Sequence, residues 1–183
     1  MSLTRHASRL ALLLLPMSLL GSTCGPTTPA ESTATQFVLD AAGVTAPLFI
    51  RVSTNDAQPG WISVTHADGR RVYLNARCDI GDCGKAPAVC GAAIPIVRDI
   101  AASGSIEFTW DGMDSSLDAT AQCERREPAA AGAYVASFCY ARSASLTGTG
   151  NPSTGTQGTL IQPTCATVPF TLPVSSAVRY KVP

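Results

Sequence analysis

The chain of 183 residues predicts an all-β protein, an antiparallel β-sandwich stapled by disulfides. Three observations carry this. Apolar and polar residues alternate at period two in short segments, which is the pattern of strands with one buried face. Gly and Pro punctuate those segments, and prolines recurring from Pro47 to Pro173 leave little room for long helices. Seven cysteines are present, six of them in the body of the chain, enough for three disulfides.

The elements follow in order. Gln36–Leu39 is a first short strand. In "PLFIRVST", Leu48, Ile50 and Val52 share one face while Arg51 and Ser53 take the other. Trp61–His66 and Arg71–Leu74 flank "HADGRR", whose Asp68-Gly69 is a hairpin signal. Ile94–Ile100 is a further strand. In "SIEFTWDG", Ile106, Phe108 and Trp110 point one way. Ala129 to Ala133 is too short for a helix and contains Gly132. "GAYVASFCYA" places Tyr134, Ala136, Phe138 and Tyr140 on one face, with Val135, Ser137 and Cys139 behind. Ser143 to Leu160, low in bulk and charge, reads as a long flexible hairpin loop, which leaves a possible binding role open. Leu160–Thr167 and Ala177–Val182 complete the set.

Residues 1–23 read as a signal peptide. Arg5, His6 and Arg9 form a basic start, and the apolar run Leu10 to Leu20 is shorter than the ~20 residues that span a bilayer. Gly21, Ser22 and Thr23 then precede Cys24. This resembles the bacterial lipobox, in which a signal peptidase cuts before a cysteine that carries a diacylglycerol thioether. Gly21 and Thr23 stand where that pattern has Leu and a Gly or Ala. The resemblance implies lipid attachment at Cys24 and anchoring to a bilayer through an acylated N-terminus. With Gly25 after the cysteine, it implies the outer membrane of the cell envelope. The alternative is an ordinary secretory signal cut after Ala30, giving a periplasmic or secreted protein. Residues 24–35, rich in Pro, Thr, Ser and Ala, make a flexible tether, and 36–183 one domain. Removing Cys24 leaves an even set, Cys78, Cys83, Cys90, Cys123, Cys139 and Cys165, whose pairing remains open among 15 connectivities.

Charge excludes one class of partner. Arg5 and Arg9 leave with the signal, so 11 basic residues face 13 acidic ones, and no basic face is available for nucleic acid.

Trp110-Asp111-Gly112, a variable loop, then Gly132-Ala133-Tyr134 opening a strand resembles the "F-x-W-D-G … G-x-Y" signature of bacterial immunoglobulin-like modules. Examples occur in the flagellar hook-capping protein and in the family named for an intracellular proteinase inhibitor. The resemblance spans about Ser105 to Tyr140. It implies an immunoglobulin-like sandwich in which Trp110, Gly112, Gly132 and Tyr134 are fold-signature positions, Trp110 and Tyr134 being core. It implies little about function. Cys123 in the loop and Cys139 in the following strand are this chain's departures.

No constellation points to a reaction. "CDIGDCGKAPAVC" lacks zinc-ligand spacing, and disulfides are the better reading in an exported chain. Asp79 with Asp82, or Asp111, Asp114 and Asp118, are a minor possibility for calcium without the EF-hand pattern. His66, the only histidine after the signal, is expected at a turn in solvent, and no G-x-S-x-G elbow exists. Trp61 and Trp110 are candidate sugar-stacking faces, with core packing the stronger reading for both. The expectation is a non-catalytic envelope lipoprotein with a structural or protein-interaction role, without cofactor or metal, whose partner is an unknown envelope protein or polysaccharide. The alternatives are a carbohydrate-binding module and a protease inhibitor. An exposed Trp61 favours the first, and a rigid protruding loop beside a disulfide the second. A cleft holding His66 against a carboxylate and a hydroxyl would favour an enzyme.

Overall fold

The computed structural model describes residues 32–53, 59–75, 80–85, 94–148 and 155–183. Cys24, Cys78 and Cys90 lie outside the described residues, as do the signal segment and Asp79. The described chain is all strand and turn. In order the strands are β1 (Thr35–Asp40), β2 (Leu48–Ser53), β3 (Ile62–His66), β4 (Arg71–Val72), β5 (Pro95–Ile100), β6 (Ser105–Trp110), β7 (Met113–Asp118), β8 (Cys123–Pro128), β9 (Gly132–Tyr140), β10 (Ser143–Leu146), β11 (Thr156–Ile161), β12 (Thr164–Leu172) and β13 (Val178–Lys181).

Two sheets pack face to face in a sandwich-like body. One has the order β13-β1-β6, with β1 parallel to β13 and antiparallel to β6. The other, β12-β9-β3-β4, is antiparallel throughout. The alternation of β9 sets the interface: Tyr134, Ala136, Phe138 and Tyr140 are buried, and the residues between them are half-buried. Phe37 of β1 meets Phe138 edge-on at 6.4 Å and Phe170 of β12 at 5.7 Å. Phe138 stacks on Tyr180 of β13 at 6.0 Å, and Trp61 lies 6.2 Å from Phe138. At one end Trp110 closes the core against Tyr134, with ring centroids 6.4 Å apart.

A third sheet, β10-β11-β5-β2, extends the body. It joins the second where the chain bends at Ala141, whose N–H and C=O both bond Phe49 at 2.8 Å. Among its described residues, the stretch Ser143 to Leu160, expected as a long loop, forms strands at both ends: Ser143–Leu146 pairs with β11 from Ser143↔Ile161 to Leu146↔Gly158. The continuous strand expected over Leu160–Thr167 is broken. Gln162 turns into the left-handed region at φ 48, and Pro163 has no N–H to offer a ladder, so β11 and β12 part into different sheets.

The stretch between Trp110 and Gly132, expected as an irregular variable loop, is a two-stranded arm. β7 and β8 pair with each other from Met113↔Pro128 to Asp118↔Cys123 and, among the described residues, with no strand of the body. Gly112 makes the turn at its root. Its φ of +75 favours glycine, and a Cβ there would sit 2.5 Å from the Thr33 carbonyl oxygen. The arm's two ends meet, since Ala129 N–H donates to Gly112 C=O at 2.8 Å.

Two disulfides are formed among the described residues. Cys139 and Cys165 stand opposite each other on β9 and β12. Cys83 bonds Cys123 at the far end of the arm, so Cys83 is not the partner of Cys78. These crosslinks are consistent with an exported, non-cytoplasmic protein.

Candidate functional site

The arm collects most of the polar chemistry of the described residues. Its root is held by Trp110, fully buried, whose Nε1–H donates to Met113 C=O at 2.8 Å. Asp111 sits at the turn and takes both its oxygens to Arg126 of β8, at 3.1 and 2.9 Å. Tyr134 lies beneath, its hydroxyl donating to Ala130 C=O at 2.7 Å. Burial pushes that hydroxyl's pKa up, and the Asp114 carboxylate adds to the shift.

One flank of the arm docks on the β3–β4 hairpin. The Asp68-Gly69 turn brings His66 and Arg70 to the same side, with His66 N–H bonded to Arg70 C=O at 2.8 Å. Asp114 of β7 reaches both: its Oδ2 is 2.9 Å from His66 Nε2 and accepts from Arg70 Nη1 at 2.9 Å. Arg70 Nη2 also contacts His66 Nε2. His66 is thus not a solvent histidine. Its side chain is only 16% exposed, and its ring lies 4.7 Å from that of Tyr134. The register accounts for this: His66 pairs with Tyr134 across β3 and β9, and Asp114 of the arm, which leaves no hydrophobic period in the sequence, covers it. Ser115, Ser116, Glu127 and the stretch 128–130 complete a cavity of about 420 Å³ around the cluster. A carboxylate and two serines therefore line the cavity with the imidazole, and Ser115 Oγ is buried without a hydrogen-bond partner.

The other flank is built by residues 80–85. Asp82 bridges Glu124 of β8 in parallel: Glu124 N–H donates to Gly81 C=O and accepts Cys83 N–H on its own carbonyl, both at 2.9 Å. The Cys83–Cys123 disulfide fastens this segment. Asp82 Oδ2 accepts from Lys85 Nζ at 2.8 Å, which holds its carboxyl below the usual range. Glu124 is buried at 3% exposure. Beside it lies a cavity of about 330 Å³ lined by Asp82, Cys83, Lys85 and the β8 residues Glu124 to Glu127.

The tip is ordered by Asp118. One oxygen accepts from the N–H groups of Thr120 and Ala121 at 3.0 Å, and the other takes Arg125 through Nε and Nη2. The Ala121 N–H and then the Arg125 guanidinium hold this carboxyl below its ordinary range.

Asp111, Asp114 and Asp118 are therefore spread along the arm, each with its own cationic partner. Among the described residues no group of three His, Cys, Asp or Glu is placed to hold a metal ion. Trp110 and Tyr134 are buried, Gly112 turns the arm's root, and Gly132 opens β9 at φ 150. Trp61 is 2% exposed and offers no face to a sugar. Cys83, Cys123, Cys139 and Cys165 are in disulfides.

The arm is what sequence reasoning missed. Its signal lay in charge: "DGMDSSLD" carries three aspartates and "CERREP" two arginines, complementary runs on either side of a four-residue turn. No protein-family model matches the chain, and no characterised protein or solved structure matches it either.

Proposed function

We propose that this is an exported, lipid-anchored and non-catalytic protein of the bacterial envelope. In this reading the body is an immunoglobulin-like sandwich, and the β7–β8 arm is its contact element for a partner protein. The observation that carries it is the triple fastening of an arm that adds nothing to the sheets of the body: a clamp of His66 and Arg70 on Asp114, an Asp111–Arg126 pair at the root, and a disulfide at the far end. Ion pairs and a disulfide spent outside the main core stabilise a shape, and an ordered shape lowers the entropic cost of binding. The anchor reading rests on Cys24 behind its short apolar run.

Because Gly112 and Ala129 already meet, the arm can be excised at that point with a short glycine turn. Envelope extract passed over the mature parent and the armless variant should yield a partner that only the parent retains, while both remain folded by circular dichroism. Identical captures from the two proteins would sink the reading. Mass spectrometry of the mature chain should find a diacylglyceryl adduct on Cys24.

A second reading is favoured by the tip. Residues 119–122 are presented beside the Cys83–Cys123 disulfide and braced by Asp118, the arrangement expected of a protease inhibitor. Residual endopeptidase activity at stoichiometric protein decides between the two.

A further inference from the structure

The geometry points to a slot for one extended peptide segment of a partner at the open edge of β8, centred on Arg126; this rests on reading the arm as a contact element. Glu124 turns its N–H and C=O away from β7, toward residues 81–83. Main-chain groups alternate along a strand, so Arg126, two residues on, turns its N–H and C=O to that same edge. The covering segment has left by then: Gly84 turns it aside at φ 82, and Lys85 N–H bonds back to Asp82 C=O at 3.0 Å. Pro128, next of the same parity, has no N–H, so the edge closes there. Among the described residues, one residue's worth of ladder is open between two closed positions.

Side chains at the same place are unfinished. Among the described residues the buried side-chain atoms without a partner are Asp82 Oδ1, Ser115 Oγ and Arg126 Nε, and all three lie in the arm and its bracing segment. Asp82 and Arg126 both line the cavity of about 330 Å³, and Ser115 stands opposite Arg126 across the hairpin. Buried polar atoms are nearly always paired, so Asp82 Oδ1 and Arg126 Nε, orphans on one cavity, ask for a missing partner. Arg126 Nε donates and Asp82 Oδ1 accepts. A peptide group offers the complement of both, a carbonyl and an N–H, and its neighbouring main chain supplies the partners for the Arg126 backbone, as in strand addition.

The probe is a phage-displayed library of random heptapeptides panned on the mature protein, followed by titration of the enriched peptide as a synthetic. Binding should weaken about tenfold or more in Arg126→Lys, which keeps a positive charge facing Asp111 but lacks Nε. It should weaken similarly when a single amide of the peptide is N-methylated, a change that leaves the protein untouched. Failure to enrich any peptide overturns the slot. So does an affinity indifferent to both changes, in which case the orphan atoms hold ordered water only, and so does displacement of the peptide by envelope polysaccharide with no requirement for its amides. If the armless protein loses its partner while peptide binding ignores Arg126, the arm reading stands and the slot falls. If the armless protein keeps its partner, the arm reading itself falls.

Discussion

Replacing Trp110 with alanine strikes the joint between body and arm. The indole is fully buried, packs edge-on against Tyr134 at 6.4 Å and donates to Met113 C=O at 2.8 Å. Burying an aromatic of about 200 Å² at ~25 cal/mol per Å² contributes up to ~5 kcal/mol. The lost hydrogen bond adds ~1 kcal/mol, and partial collapse of the cavity gives some back, so a loss of ~3–5 kcal/mol is expected. For a domain of this size each kcal/mol lowers Tm by about 2–4 °C, which places the variant ~6–20 °C below the parent. Trp110→Phe isolates the arm's share: the core keeps a ring, the Met113 carbonyl loses its donor, and the expected drop is only ~1–2 kcal/mol. Differential scanning calorimetry reads both, and amide exchange at Met113 and Asp114 should quicken in the phenylalanine variant before the body's strands are affected. A Tm for Trp110→Ala equal to the parent's would refute the reasoning, because a fully enclosed indole cannot be removed without cost.

Further outcomes follow from charge and edges. Asp118 has a folded pKa below its unfolded value, so the stability it gives the arm's tip is present above about pH 4 and is lost as pH falls through the depressed value. Acid titration by NMR should show the Thr120 and Ala121 amides shifting together there, and a titration of Asp118 at the ordinary carboxylate position would contradict this. Tyr134 and Tyr140 are raised, chiefly by burial, so their contribution is complete below about pH 10 and disappears as pH rises through their folded values. Absorbance at alkaline pH should show Tyr134 and Tyr140 ionising late and together with unfolding, as judged against their phenylalanine variants, whereas early ionisation of both would count against it. Pro169→Val restores a donor on the free edge of β12 and should produce concentration-dependent association in sedimentation runs where the parent stays monomeric. The geometry is specific: Cys139 N–H bonds Trp61 on the β3 side, so Cys165, Thr167 and Pro169 turn their main-chain groups outward. An unchanged sedimentation coefficient would show that something else guards that edge.

The body was legible because burial imposes alternation. Tyr134 to Tyr140 and Ile106 to Trp110 must show the core one residue in two, and the sequence records that directly. The arm was illegible for the converse reason. Its strands are held by Asp111, Asp114 and Asp118 against Arg126, Arg70 and Arg125, and such pairing leaves no hydrophobic period. His66 was placed at the right hairpin, but its cover came from residues 48 positions away, which no local pattern reports. β10 and most of β11 were hidden by small polar residues, since β10 is mostly exposed and has little to bury. The pairing of Cys83 with Cys123 required the arm to be known first.

The position of β1 constrains the order in which this chain can fold. It is the central strand of its sheet, yet one neighbour is β6 and the other is β13, the last of the described strands: Phe37 waits for Val178. A polypeptide emerges from the ribosome, and enters a secretion channel, beginning with its N-terminus. β1 is thus without a completed sheet until β13 has been made, and contacts so distant along the chain close slowly. The Cys139–Cys165 crosslink also belongs to the final third. Under the export proposed above, a chain whose β1 sheet is completed only by β13 stays threadable through a narrow pore for longer than one built from neighbouring strands.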